Sequence, residues 1–194
     1  SFLQEHFYDN HDDLLLKYRG KISNNLLHAA VEQIRSRPKL KLKQPHYYEV
    51  GAFAELSVLE QSTAFEVAEF RKKVMSGDSL CECTGGLGVD TLALSSQFKE
   101  VTFCEIDPSR AALFSYNLSL FKKSTISVQC GDSMEYLRSL TEKTFDWLFL
   151  DPARRDGTGK RFITLDECMP NVIKEAEIGR ASVGKECRSR WSPY

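Results

Sequence analysis

The sequence predicts an α/β protein, a doubly wound parallel sheet preceded by a small helical domain. Three observations predict it. From Gly77 onward, short apolar runs alternate with helical patterns across short links, the signature of successive β-α units. The first apolar run, Ser79–Cys83, meets the glycine-rich turn Thr84-Gly85-Gly86-Leu87-Gly88, and that turn leads into a helical pattern. The last, Trp147-Leu148-Phe149-Leu150, is apolar at every position, as in strands covered on both faces. The fold class is therefore a Rossmann-like sheet. Its glycine turn is the ligand cradle, because a helix starting there directs free N–H groups and the positive end of its dipole at whatever is bound.

In chain order, residues 1–76 read as helical. Asp12 and Asp13 can cap a helix containing Leu14, Leu15, Leu16 and Tyr18, and Gly20 can end it. Ser23 opens a second helix with Leu26, Leu27, Ala30, Val31 and Ile34 at helical spacing, and Pro38 is expected to stop it. Residues 39–57 look irregular. A third helix is expected from about Ser62 to Met75, with Phe65, Ala68 and Val74 on or near one face and Glu60-Gln61-Ser62 either capping its start or serving as a lid over the bound ligand. The turn Gly77-Asp78 then opens a core spanning 77–178. Its strands are expected at Ser79–Cys83, Val101–Glu105, Ile126–Cys130 and Phe145–Leu150. Its helices are expected at Val89–Phe98, Pro108–Phe121, Ser133–Leu140 and about Asp166–Ile178, with Pro108 suited to a first helical position. Residues 179–194 have neither strand nor helix periodicity. They read as linker, cloning remnant or out-of-frame translation beginning near Ile178, which would leave the sheet incomplete at the C-terminus.

Composition narrows the function classes. Of the 194 residues, 42% are hydrophobic and 27% charged, ordinary for a soluble globular protein, and the formal net charge is −1. No 18-residue apolar run suggests a membrane span, and the first residues lack a signal-peptide layout, so a cytoplasmic location is expected. The six cysteines form no C-x-x-C pair and the four histidines all precede residue 50, which argues against zinc and for reduced, mostly buried thiols.

The residues with chemical potential lie at strand ends. Glu105 stands 19 positions after Gly86, about the offset at which a carboxylate receives two ribose hydroxyls. Ile106 beside it could cover an adenine face, and Asp107 suits the N-cap of the helix begun by Pro108. Asp132 ends the third strand as N-cap, adenine acceptor or both. Asp151-Pro152 ends the fourth, where open α/β sheets bind ligands; read blandly, Asp-Pro initiates a turn. A nicotinamide or flavin turn calls for a further glycine where Thr91 stands, so a dinucleotide-dependent oxidoreductase is the weaker alternative.

Glu82-x-Thr84-x-Gly86-x-Gly88 resembles motif I of class I S-adenosylmethionine-dependent methyltransferases, with Thr84 in place of the first glycine. Asp151-Pro152-Ala153-Arg154-Arg155 resembles motif IV of amino-methyltransferases, without the usual stacking aromatic. Together with Phe2–His6, Gln33–Arg37, Leu59–Ser62, Thr84–Thr91 and Asp166–Pro170, these stretches are similar to a bacterial group of class I methyltransferases that carry a C-terminal THUMP-like domain. The resemblance covers about residues 2–175. It implies S-adenosylmethionine as cofactor and no metal. It implies a donor site of Glu82, Thr84, Gly85, Gly86, Gly88, Asp90, Glu105, Ile106, Asp132 and Ser133. Asp151 and Pro152 would orient an acceptor amine, with Arg154 beside them. RNA is the implied substrate, through the THUMP association.

Charge patterning raises nucleic acid independently. Arg35, Arg37, Lys39, Lys41 and Lys43 fall together without an acidic residue, and Tyr47 and Tyr48 follow. Such a run could hold phosphates and stack bases, or be a solvated basic face. Arg154 and Arg155 could hold a phosphate bidentately. A non-catalytic RNA-binding fragment is thus the second alternative.

Overall fold

A computed structural model describes residues 2–140 and 145–151, and the backbone of 182–183. Strands β1 (Gly77–Glu82), β2 (Phe98–Glu105), β3 (Ile126–Cys130), β4 (Trp147–Phe149) and β5 (Ser182–Val183) form one sheet in the order β3-β2-β1-β4-β5. Every pairing is parallel. Helices α7 (Val89–Leu94), α8 (Pro108–Phe121) and α9 (Ser133–Ser139) follow β1, β2 and β3. The chain passes from β1 outward to β2 and β3, then returns to β4 on the other side of β1. That reversal makes the carboxyl ends of β1 and β4 the crevice of the sheet.

The period of two along each strand sorts the two faces. Leu80, Val101, Phe103 and Phe149 pack with Leu92, Phe114 and Leu118, and with Leu40, Tyr47, Leu59 and Ala68 from the N-terminal helices. On the opposite face Cys81, Cys83, Cys104 and Leu148 pack with Met134. The three thiols are buried and free, with Cys81 Sγ lying 3.7 Å from Cys104 Sγ and 3.8 Å from Cys83 Sγ. Cys130 is exposed.

The N-terminal part holds α1 (Phe2–Glu5), α2 (His11–Tyr18), α3 (Asn24–Lys43), α4 (Pro45–Glu49), α5 (Leu56–Gln61) and α6 (Phe65–Arg71). Asn10, not Asp12 or Asp13, caps α2, accepting both of their N–H groups. Leu14, Leu27, Val31 and Ile34 form a satellite core, stapled by His6 between Asp9 (2.7 Å) and the Tyr18 hydroxyl (2.9 Å).

Several expected boundaries move. Pro38 lies inside α3, which continues to Lys43. One missing N–H is offset there by the complete burial of Leu40 and by Lys43, whose ammonium donates to the carbonyls of Leu59 and Glu60. Residues 39–57 are not irregular but hold the end of α3, all of α4 and the start of α5. Glu60-Gln61-Ser62 do not cap α6. They finish α5, and Glu60 pairs with Lys39 at 2.6 Å. The third helix is shorter than its pattern suggested, and Val74 is exposed. Ser182–Val183, in a stretch expected to be without strand structure, pairs beside β4. The expected helix from Asp166 to Ile178 lies outside the described residues.

One polar clamp joins the helical part to the sheet layer. Buried Asn117 on α8 accepts the Phe53 N–H (3.0 Å) and donates to the Phe53 carbonyl (2.8 Å), like one rung of a β-ladder. Asn117→Ala removes both partners of that peptide and is expected to cost about 2 kcal/mol. An unchanged urea midpoint would refute this role.

Candidate functional site

The crevice is built on the turn between β1 and α7. Gly85 approaches β2 so closely that its N–H donates to the Cys104 carbonyl at 2.9 Å, and an added Cβ would sit 2.3 Å from the Phe103 ring. Gly88, the left-handed N-cap of α7 (φ 76°), would place a Cβ 2.1 Å from Phe114. Phe103 and Phe114 stack face to face with centroids 3.8 Å apart. The turn thus lies on an aromatic floor that leaves no room for side chains at either glycine. Gly86 differs: its φ is +57°, and an added Cβ would meet nothing within 4 Å. It faces open space.

Glu105 fixes that open position. Its carboxylate accepts the Gly86 N–H at 2.8 Å through one oxygen and the Asp107 N–H at 2.9 Å through the other, while its carbonyl accepts the Gly131 N–H at 3.0 Å. The β1, β2 and β3 loops are tied together through this one residue. Each carboxylate oxygen retains a further lone pair for a ligand hydroxyl. Asp107 and Asp132 cap α8 and α9, each accepting two backbone N–H groups. Ile106 is 69% exposed on the same rim, and Ser133 is buried behind Asp132.

Thr84 has a structural reason to replace glycine. Its hydroxyl oxygen accepts the Asp151 N–H at 2.7 Å and so joins the β1 turn to the end of β4. Pro152, Arg154 and Arg155 lie outside the described residues. A small groove opens beside Gly86 and Leu87, between Glu55 and Val58 on one wall and Arg110 and Leu113 on the other.

Beneath the turn is a buried polar cluster. Glu82, at the end of β1, accepts the Thr91 hydroxyl. Asp90, on α7, accepts the Arg71 guanidinium at 2.5 Å and the Thr63 hydroxyl at 2.6 Å. Arg71 also lies over the Phe149 ring at 4.9 Å. Burial pushes the Glu82 carboxyl well above the ordinary carboxylate range. The Asp90 charge pushes the same way, and Thr91 and Arg71 pull it back. Tyr47, fully buried, donates to the Leu87 carbonyl at 2.7 Å, and burial raises its pKa so that it stays a donor.

The structure therefore brings Glu82, Thr84, Gly85, Gly86, Gly88, Asp90, Glu105, Ile106, Asp132, Ser133 and Asp151 to the carboxyl edge of adjacent strands. Their placement differs in kind. Gly86 and Ile106 border open space, whereas Glu105 and Asp90 are both buried, the one tied to the turn's backbone and the other to Arg71. Thr63 and Arg71 escaped the sequence reading because their partners lie 27 and 19 positions further on, and Tyr47, read there as a ring that could stack bases, is instead fully buried with its hydroxyl on a carbonyl 40 positions further on. A lone arginine on an otherwise apolar helix face was the one available signal.

No protein-family model and no curated protein matches the sequence. Solved structures do match. A protein from Porphyromonas gingivalis W83 assigned as a methyltransferase superposes with a TM-score of 0.75 at 25% identity, over 91% of this chain and 44% of that one. The fold is that of a class I methyltransferase. The chain spans less than half the length of the Porphyromonas protein. Trm5b from Pyrococcus abyssi matches with a TM-score of 0.39 at 20% identity, over 46% of this chain and 27% of that one. A tRNA m1G37 methyltransferase from M. jannaschii matches with a TM-score of 0.38 at 18% identity, over 44% of this chain and 26% of that one.

Two outcomes follow from this methyltransferase-type turn. Gly88→Ala combines left-handed strain with overlap on Phe114 and is expected to destabilise by about 3 kcal/mol, against about 1 kcal/mol for Gly86→Ala. Equal thermal midpoints would contradict the aromatic floor. Glu82 carries a pKa raised on folding, so its contribution is complete below the ordinary carboxylate value and declines as pH climbs toward the folded value. Wild-type stability should therefore fall more steeply with rising pH than that of Glu82→Gln above the ordinary carboxylate range, measured by urea unfolding. Parallel pH profiles would exclude the buried charge.

Proposed function

We propose that the protein is an S-adenosylmethionine-dependent methyltransferase acting on a nitrogen of an RNA base. The observation that carries this reading is the open position over Gly86, bounded by Glu105 and Ile106, at the reversal of a parallel sheet. A donor fits there on this chain's own terms, since Gly86 presents bare backbone to open space and Glu105 keeps acceptor capacity beside it. When bound, the donor supplies a sulfonium-activated methyl group.

The protein's part is placement. Glu105 receives the ribose hydroxyls, Ile106 covers one face of the adenine, and Asp132 accepts from the adenine amine while capping α9. Gly85 to Gly88 border the methionine end. Asp151 and the Pro152 carbonyl accept hydrogen bonds from the acceptor amine and orient its lone pair for in-line attack. Arg154 holds a nearby phosphate. Thr84, bonded to the Asp151 N–H, keeps the acceptor residue in register with the donor turn.

RNA binding through α3 has narrower support than the basic run suggests. Lys39 is paired with Glu60, and Lys43 closes the end of α5. Arg37 and Lys41 instead flank the Tyr48 ring at 5.5 and 5.6 Å, which leaves Arg35, Arg37 and Lys41 as the cationic edge for phosphates. An oxidoreductase reading meets Thr91, fully buried on Glu82, where close helix–strand packing in dinucleotide folds uses glycine.

Isothermal titration of S-adenosylhomocysteine and of NAD separates these readings. Saturable binding of S-adenosylhomocysteine, lost by at least tenfold in Glu105→Ala, is expected. Binding of NAD alone would overturn the methyl-donor reading.

A further inference from the structure

Away from the crevice, three side chains of the N-terminal helices stand as nucleophile, base and orienting carboxylate. The hydroxyl of Tyr18, the last residue of α2, lies 2.9 Å from His6 Nε2, and His6 Nδ1 lies 2.7 Å from Asp9 Oδ2. These partners fix the proton positions. A carboxylate only accepts, so in the neutral ring the proton stands on Nδ1 and is donated to Asp9. The Nε2 lone pair is left to accept the Tyr18 O–H. His6 is 9% exposed, and the Phe2 ring packs on both partners, its centroid 4.5 Å from that of His6 and 5.1 Å from that of Tyr18. The imidazole is thus held in one tautomer and one orientation, its basic nitrogen aimed at a phenol. An oxygen nucleophile within hydrogen-bond reach of a base, itself oriented by a third group, is the arrangement that activates such a nucleophile.

Two cations set the charge that an approaching electrophile meets. The Lys17 and Lys21 ammonium groups lie 5.4 and 5.9 Å from the centroid of the Tyr18 ring, and both residues are exposed. Tyr18 itself is half-buried. A positive surface beside a phenol favours an electrophile that carries negative charge. An acyl phosphate has that charge on its phosphate, next to a planar carbonyl that a phenol can attack.

We propose that Tyr18 is an acyl-acceptor site, modified by donors of the acyl phosphate class, with His6 as the base and Asp9 as the residue that positions it. The phenol oxygen bonds to the carbonyl carbon, and the bond from that carbon to the phosphate oxygen breaks. Phosphate departs with the bonding pair. The phenol proton passes to His6 Nε2 and from there to solvent, and the Asp9 carboxylate stabilises the imidazolium that forms in between. The product is an aryl ester on Tyr18. Its oxygen has no proton to donate, so the modified chain loses the bond by which Tyr18 holds His6. This site is independent of the methyltransferase reading.

The test is incubation of the full chain with acetyl phosphate, followed by peptide mass spectrometry, with lability to hydroxylamine separating tyrosine esters from lysine amides. Tyr8 is the internal comparison, since it is 94% exposed and has the Phe7 ring, not a histidine, beside it. Exposure alone would label Tyr8 faster, whereas base assistance is expected to label Tyr18 faster by about tenfold or more. His6→Gln is expected to slow Tyr18 labelling by about tenfold or more and Asp9→Asn by about threefold, with Tyr8 unchanged in both. A purely structural clasp gives the opposite sign, because breaking it uncovers Tyr18 and speeds its labelling. Tyr18 labelled no faster than Tyr8 in the wild type, or no slower in the variants than in the wild type, overturns the inference. If His6→Gln does not fold, Asp9→Asn and the wild-type ratio of Tyr18 to Tyr8 labelling decide the matter.

Discussion

The structure depends on the close approach of one turn to one aromatic pair. Phe103 and Phe114 stack beneath Gly85 and Gly88, and neither position tolerates a Cβ. That contact sets the height of the turn over β2. At that height the Gly86 amide reaches the Glu105 carboxylate, the Gly85 amide reaches the Cys104 carbonyl, and α7 begins with its left-handed cap. Packing comes first here, and the hydrogen bonds follow because a buried N–H without an acceptor is costly.

The N-terminal helices complete the same core. Leu40, Tyr47, Ala52, Ala54, Leu59 and Ala68 belong to the cluster that includes Leu80, Phe103 and Phe114. Their polar reach is equally specific. Tyr47 serves a turn carbonyl, Asn117 serves the Phe53 peptide, and Gln44 donates to the Thr63 carbonyl at 2.6 Å, next to the Thr63 hydroxyl that serves Asp90. Each of these bonds satisfies a group that would otherwise be buried unpaired. The glycine turn is therefore supported from the sheet side by aromatic packing and from the helical side by hydrogen bonds.

Much of this was legible in the sequence, for identifiable reasons. Parallel strands covered on both faces appear as apolar runs, and Pro108 after Asp107 marks a helix start through local chemistry, so α8 spans its expected residues. The acidic strand ends were legible because offset along a β-α unit is itself geometry. What failed to show depends on distant partners. Pro38 reads as a stop, yet Leu40 is buried and Lys43 is anchored on α5, and neither fact is local. Helices α4 and α5 are five and six residues long, too short for periodicity to declare them. Arg71 carries no motif, and its meaning appears once Asp90 is beside it. Alternating lysines read as a free basic face, but Lys39 and Lys43 are engaged by Glu60 and the end of α5.

Electrostatics gives the arrangement its direction. Glu105 is held by backbone amides, its two carboxylate oxygens accepting the Gly86 and Asp107 N–H groups. The one cation placed deep in the cluster, among the described residues, is Arg71, and Asp90 answers it directly. The buried cluster thus balances its charge through a direct ion pair, whereas the turn above it is held through backbone dipoles.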